Sequence, residues 1–385
     1  MSGRKKIDWR NWVLALVSIS ITIGLIELVL RILFSSNQAF LVNHHQDRSF
    51  IHRNPYWGSW HYPNNEVRHQ SDCFDAIYHT NSIGLKAEDI NPERPNIVLL
   101  GDSYLEGYGV SNEETIVHFL DSTFQDQYNF LPFASSGGFG TVNEYALYEN
   151  FARHYEPKLV VLFWLNYNDL YDNLNSIRKG FLDEEGNYLF ERMNSKQEVL
   201  ALIDNMGEPE VLDQKVGFYT FRLAQRGFRS LQHVSQYWTN VKGNFKDAIG
   251  QVYAKEVTPN LEKAYVISEQ VIIDLQHAVQ RDSAQLVIVN LFDPYQVDDG
   301  WLKVMEEKLD SPMDAGFPNQ KIATICEKHN IPYYSLYEPT MEKIRQDQLE
   351  FPYFNFSCDN HLTKKGNLWV SKLVSEYLEE HQLLQ

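Results

Sequence analysis

Ser103 stands in the stretch GDSYLEGYGV, directly after the apolar run PNIVLL. A buried strand needs no polar residue at its carboxyl end, whereas a nucleophile presented at the lip of a sheet does. A serine at a strand-to-helix junction holds its hydroxyl near a helix N-terminus, where developing negative charge is favoured. The same serine would also serve as a plain helix cap. The pattern is not G-x-S-x-G, because position 105 is leucine, so the nucleophile elbow of the α/β-hydrolases is disfavoured.

Further stretches carry complementary chemistry. In FASSGGFGTVNEY, glycines 137, 138 and 140 allow close backbone approach, so peptide N–H groups there can point at an oxyanion; a tight strand-to-helix turn is the plainer reading. In LNYNDLYDN an asparagine amide can donate a hydrogen bond without carrying charge, as an oxyanion hole requires, or cap a helix. In CDNHLTKKGN, Asp359 precedes His361 by two residues. Histidine is the usual base for a serine nucleophile, and a nearby carboxylate orients the imidazole and stabilises its charged form.

The elements that must position these groups are legible as apolar runs. PNIVLLGD, YNFLPFAS, PKLVVLFWLN and SAQLVIVNLF read as buried strands, and IPYYSLY as a short one. NEETIVHFLDSTF, TVNEYALYENFARHY, the run from about Pro259 to Arg281, NQKIATICEKHN and TKKGNLWVSKLVSEYLEEH carry helical spacing. Strands alternating with helices predict an α/β fold, a doubly wound and mostly parallel sheet with helices on both faces. In such sheets ligands bind at the carboxyl ends of the strands, and that edge is where the four stretches fall. The alternation stops between Asp169 and Pro259, so residues of about 175–258 read as an insertion near that edge, with a hairpin around Glu185-Gly186-Asn187. Residues 35–77 read as an irregular wrapping segment, IYHTNSIGLKAED as a short hairpin or extended pair, and 78–385 as the main domain.

The N-terminus predicts an anchor. Residues 1–11 form a basic tail with Arg4, Lys5, Lys6 and Arg10, and 12–34 a transmembrane helix from Trp12 to Phe34. That run is about 35 Å of helix, enough to cross the hydrocarbon core. Basic residues ahead of it place the tail in the cytoplasm and the rest of the chain outside the cytoplasmic membrane. Glu27 and Arg31 stand four apart and are expected to pair near the far end. A cleaved signal peptide would show a shorter run and a small-residue cleavage site, which SSNQAFLV matches poorly. A buried core helix is the remaining alternative.

Composition sets the outer bounds. With 385 residues, 43% hydrophobic and 14% aromatic, the chain can fill a sizeable core. A net charge of −17 argues against nucleic acid as a partner. Cys73, Cys326 and Cys358 match no zinc pattern and no C-x-x-C motif. They read as unpaired buried thiols, with one bridge left open because Cys358 adjoins Asp359. His44, His45, His52, His61 and His69 are irregularly spaced, which favours packing or surface roles over a metal site.

Taken together, these stretches resemble the SGNH hydrolases, the GDSL-type esterase and lipase superfamily. GDSYLEGYGV resembles its first block, with Tyr104 where the family name has leucine; SSGGFGT resembles the second, NYND the third and DNH the last. NSIGLKAED and the N-terminal helix are similar to a membrane-anchored bacterial subset. The resemblance covers about residues 78–170 and 285–380 and not the insertion. It implies a flavodoxin-like SGNH fold, Ser103 as nucleophile, His361 as base and Asp359 as its acid partner. It implies Gly138 as backbone oxyanion donor and Asn168 as side-chain donor. Asn166 occupies the glycine position of the third block and is the alternative donor; Asn168 is preferred because it keeps the Asn-Asp pair.

The expectation is a serine acyl-ester hydrolase, with no cofactor and no metal, acting on an ester-bearing small molecule, lipid or polysaccharide. Acyl transfer to a sugar hydroxyl is the first alternative, with Trp57, Trp60, Tyr62, Trp164, Tyr167 and Tyr171 as candidate stacking surfaces or ordinary core. A non-catalytic binding protein that retains the fold is the second.

Overall fold

The computed structural model describes residues 9–33, 49–71, 73–125, 127–209, 218–221 and 245–384. They fall into two units, Met1–His44 with Leu212–Gly243, and His45–Val211 with Asn244–Gln385.

In the first unit, Trp9–Leu33 is a 25-residue α-helix. It is long and apolar enough to cross a membrane, and by length and composition it equally fits a signal sequence. The pair expected at i and i+4 forms, with Arg31 Nε donating to Glu27 Oε1 at 2.9 Å. Within the same unit Glu27 also accepts from the Tyr219 N–H at 3.0 Å and from the Thr220 N–H and hydroxyl, each at 2.9 Å. The basic tail at 1–8 and His44 and His45 lie outside the described residues.

The second unit is built on five parallel strands, β5 (Asn96–Gly101), β6 (Asn129–Ala134), β7 (Leu159–Trp164), β8 (Gln285–Asn290) and β9 (Tyr333–Ser335), in the order β6-β5-β7-β8-β9. Strand alternation explains the two-sided core. Val98, Leu100, Val160 and Leu162 face one layer with the helices Thr141–Asn150 and Pro259–Arg281. Ile97, Leu99, Val161 and Phe163 face the other, with Ile116–Thr123 and Lys364–Glu380. The fold is therefore the expected doubly wound α/β sheet. All five strands run the same way, but the strand order switches sides at β5, with β6 added on one side and β7 on the other, which opens a crevice at the carboxyl ends of β5 and β7.

Ahead of the sheet, the stretch expected to be irregular contains two antiparallel hairpins. β1 (Ile51–Asn54) pairs with β2 (Gly58–His61), and β3 (Glu66–Gln70) with β4 (Asp75–His79). These strands are four or five residues long and mix polar with apolar types, so they carry little periodic signal. Trp57 and Trp60 from the first hairpin are fully buried in the sheet's core, stacked on Phe151 and Phe133. Trp164 is equally buried, so these three indoles are core and not sugar platforms.

The expected insertion holds the helices Lys196–Asp204 and Phe245–Tyr253. A tight loop turns at Gly186, with Leu182 bridging Tyr188. Its stretches 210–217 and 222–244 lie outside the described residues. Two helices carry no early sequence signal, Asp299–Leu309, capped by Asp298, and Tyr337–Asp347, with Pro339 in its first turn.

Candidate active site

β5 runs directly into a one-turn helix, Ser103–Glu106. Its cap is Asp102 and not Ser103: the Asp102 carboxylate accepts the Tyr104 N–H at 2.8 Å, while Ser103 is the first helical residue. That leaves the Ser103 hydroxyl free of capping duty. It lies 2.7 Å from His361 Nε2, although the two residues are 258 apart in sequence. The other ring nitrogen, Nδ1, is hydrogen-bonded to Asp359 Oδ1, which also accepts the His361 backbone N–H at 3.0 Å. Burial acts to raise the Asp359 pKa, but the hydrogen bond and charge of His361 outweigh it and hold the carboxyl below its ordinary value. A hydroxyl, an imidazole and a carboxylate thus form one hydrogen-bonded line on the rim of the sheet.

No family model matches the sequence, and no curated protein matches it. The chain is similar to solved structures of a lipolytic protein and of esterases. One is described as a lipolytic protein of the G-D-S-L family from Desulfitobacterium hafniense, at 11% identity and a TM-score of 0.36, covering 74% of this chain and 99% of that one. An acetyl xylan esterase is similar at 12% identity and a TM-score of 0.38, again over 74% and 99%. A two-domain esterase active on acetylated mannans is similar at 12% and 0.37, over 74% of this chain and 49% of its own.

The third stretch separates its two asparagines. Asn166 is fully buried; its Oδ1 accepts from Trp164 Nε1 at 2.9 Å and Asn290 Nδ2 at 3.1 Å, and its Nδ2 donates to Asn319 at 3.0 Å. Asn168 is half-buried and donates to Asp102 Oδ2 at 2.5 Å, beside Ser103. Because Nδ2 carries two hydrogens, that bond orients the amide and leaves one hydrogen for another acceptor.

Neighbouring residues on the helix Asn166–Lys179 brace the rim. Asp169 accepts from the Leu165 N–H at 2.7 Å and from Thr141 Oγ1 at 2.6 Å, tying the end of β7 to the helix that follows the glycine turn. Asn173 accepts the Val142 N–H at 3.0 Å. Lys179 bonds Asp172 at 3.0 Å and also the Gly138 carbonyl. Gly138 has φ +79°, a backbone conformation that side-chain-bearing residues rarely adopt, so glycine is favoured there by the backbone.

The serine turn is anchored from below. Glu106 is buried and lies 3.4 Å from His61 Nε2. Burial acts to raise the Glu106 pKa, yet His61 and Lys86 together hold it below its ordinary value. Lys86 Nζ donates to the carbonyls of Gly107 at 2.7 Å and Val110 at 2.8 Å, and burial pushes its pKa down to about 7. His61 and His69 are thus engaged within the core, His69 with the Tyr78 hydroxyl at 2.7 Å. Among the described residues no three His, Cys, Asp or Glu side chains are arranged to hold a metal ion.

Several residues at the site carry no sequence signal of their own. Tyr108 lies flat on the His361 ring. The Tyr104 hydroxyl donates to the Asn360 carbonyl at 2.6 Å, binding the serine turn to the histidine loop. Cys73 and Cys358 form a disulfide across 285 residues, which replaces the expectation of unpaired thiols and ties the β3–β4 hairpin to the residue before Asp359. Cys326 remains a free buried thiol. Only the adjacency of Cys358 to Asp359 hinted at this.

Proposed function

We propose that the protein is a serine acyl-ester hydrolase of the SGNH type, held by its N-terminal helix and acting outside the cytoplasmic membrane. The observation that carries this reading is the line from Ser103 Oγ through both His361 nitrogens to Asp359. Ser103 Oγ attacks the ester carbonyl as its proton passes to His361 Nε2, and the carbonyl oxygen becomes an oxyanion. Asp359 fixes the tautomer with Nδ1 protonated and stabilises the imidazolium. The oxyanion is received by the Ser103 and Gly138 N–H groups and by the Asn168 amide. Collapse expels the alcohol, which takes the proton from His361. Water, deprotonated by His361, then attacks the acyl-enzyme and releases the acid and Ser103.

The extracytoplasmic placement rests on basic residues ahead of the apolar helix and on the Cys73–Cys358 bridge, because disulfides persist in oxidising compartments. Removing residues 1–34 is expected to release an active protein into the soluble fraction.

The deciding experiment uses a fluorophosphonate probe and an activated acetyl ester. The wild type is expected to react with both and Ser103→Ala with neither. Labelling that survives in Ser103→Ala would overturn the nucleophile assignment.

A further inference from the structure

A cleft of about 510 Å³ opens on the glycine turn that follows β6. Its floor includes Gly137 and Gly138, and its walls carry Ser59, Asn143, Arg53 and Lys179 beside apolar ring edges. Among the described residues no acidic side chain lines it, although the whole chain carries a net charge of −17. The two cations are not equivalent. Lys179 is already committed to Asp172 and the Gly138 carbonyl, so that pair contributes no net charge. Arg53 is exposed on strand β1 of the β1–β2 hairpin, and its guanidinium has no hydrogen-bond or ion-pair partner among the described residues. The cleft therefore presents one uncompensated positive charge, on a guanidinium whose fork matches a carboxylate.

The remaining lining suits a sugar. Gly137 has φ +94°, and a Cβ placed there would meet nothing within 4 Å, so bare backbone faces open space. Asn143 is buried in the wall; its Nδ2 donates to the Trp57 carbonyl at 3.0 Å, while its Oδ1 has no partner among the described residues. Polar groups interleaved with ring edges match the alternating hydroxyl and C–H faces of a pyranose, and the volume falls in the range of small-molecule sites.

We infer that this cleft is a subsite for an acidic sugar residue of the O-acylated substrate, with Arg53 pairing to its single carboxylate. A monoanion is favoured because the cleft offers one free charge. The inference rests on the reading of Ser103 as the nucleophile of an ester hydrolase, since the same glycine turn offers the Gly138 N–H to the oxyanion. It makes the β1–β2 hairpin a specificity element.

The test compares matched ligands on the full-length protein in detergent. One is an O-acetylated uronic-acid oligosaccharide, and the other is the same oligosaccharide with its carboxyl groups reduced to alcohols. The wild type is expected to hydrolyse the acidic form with at least about ten-fold higher kcat/KM, a preference that fades at high salt as ion pairing is screened. Arg53→Gln is expected to bring the ratio close to one. Equal kcat/KM for the two forms in the wild type, or an undiminished preference in Arg53→Gln, would overturn the subsite. Direct binding of the unacetylated pair to Ser103→Ala separates this from the chemistry. Charge-selective, Arg53-dependent binding without any esterase activity in the wild type would leave the subsite standing and remove the hydrolase. Hydrolysis of an activated acetyl ester with no charge selectivity would do the reverse.

Discussion

The ring of Tyr108 is stacked on the imidazole of His361, with centroids 4.3 Å apart and planes 28° from parallel. Tyr104 approaches the same imidazole at 5.1 Å, and His69 meets Tyr108 edge-on at 4.8 Å. The histidine belongs to a loop, yet one face of its ring lies against an aromatic wall rooted in the serine turn and the β3–β4 hairpin. That wall restricts rotation of the imidazole while its two nitrogens hold Ser103 and Asp359.

Tyr108→Ala removes the wall and leaves every hydrogen bond of the line in place. A small misplacement of a reacting group can cost on the order of 10²-fold in rate. We expect kcat to fall by about ten-fold or more with KM nearly unchanged, and Tyr108→Phe, which keeps the ring, to restore most of it. Steady-state kinetics on an activated acetyl ester checks this; a loss confined to KM would remove the positioning role.

Asn166 and Asn168 are two residues apart and should fail in opposite ways. Asn168→Ala removes a half-buried donor, so kcat should fall on the order of 10²-fold or more, with a smaller stability loss of about 1 kcal/mol from the unpaired Asp102 Oδ2. Asn166→Ala strands the Trp164 indole N–H and one N–H of the Asn290 amide in a buried site, while Asn319 Oδ1 still accepts from Gln296. A loss of about 3 kcal/mol or more is expected, from more than one orphaned polar group. Urea unfolding and turnover measured on both variants separate the two roles.

The disulfide gives a thiol count as well as a stability effect. Burial pushes the Cys326 thiol up to about 12, so the native, unreduced protein should resist alkylation. Unfolding without reductant should expose one thiol, and unfolding with reductant all three cysteines of the chain. Cys73→Ser should destabilise by about 2–5 kcal/mol, as loss of native bridges typically does. It should also lower kcat, because Cys358 tethers the loop that carries Asp359 and His361. Mass spectrometry after alkylation, together with thermal unfolding, reads both effects.

Much of this arrangement was legible in residue order because the groups sit at the ends of apolar strands. Val98, Leu100 and their neighbours mark β5 by type alone, so the position of Ser103 followed. Asp359 and His361 are close in sequence, so their pairing is local. The helix Pro259–Arg281 announces itself through Thr258, Pro259 and a long apolar stripe. The rest depended on tertiary approach. Tyr108 reads as one more aromatic until the chain folds it under His361. The Cys73–Cys358 pairing needs the β3–β4 hairpin, whose strands of five residues give almost no periodic signal. The choice of Asp102 over Ser103 as helix cap is a matter of side-chain direction at adjacent residues, which spacing does not encode. The polar run NYNDLYDN marked a polar rim, but the division of contacts among Asn166, Asn168, Asp169 and Asn173 appears only once the neighbouring strands are in place.

Asp102 should be visible in the pH dependence of stability. Burial raises its pKa from the ordinary 3.8 to about 6, against the lowering pull of the Tyr104 N–H and the Asn168 amide. The folded state therefore binds more protons than the unfolded state between about pH 4 and pH 6, so stability falls as pH rises through that window. The protonated carboxyl contributes fully below the unfolded value, and a shift of this size is worth on the order of 2–3 kcal/mol. Asp359 carries the opposite sign: its depressed pKa contributes stability above the unfolded value, which is lost as pH falls through the folded one. Asp102→Asn deletes only the first contribution. Its unfolding free energy should decline less steeply between pH 4 and 6 than that of the wild type, by up to about 1.4 kcal/mol per pH unit for one proton. The variant should also lose turnover, because one amide oxygen cannot replace two carboxylate oxygens that accept from Tyr104 and Asn168 separately. Chemical unfolding across that window, with wild type and variant side by side, measures the difference; identical slopes would show that Asp102 is ionised throughout and that burial does not control its charge.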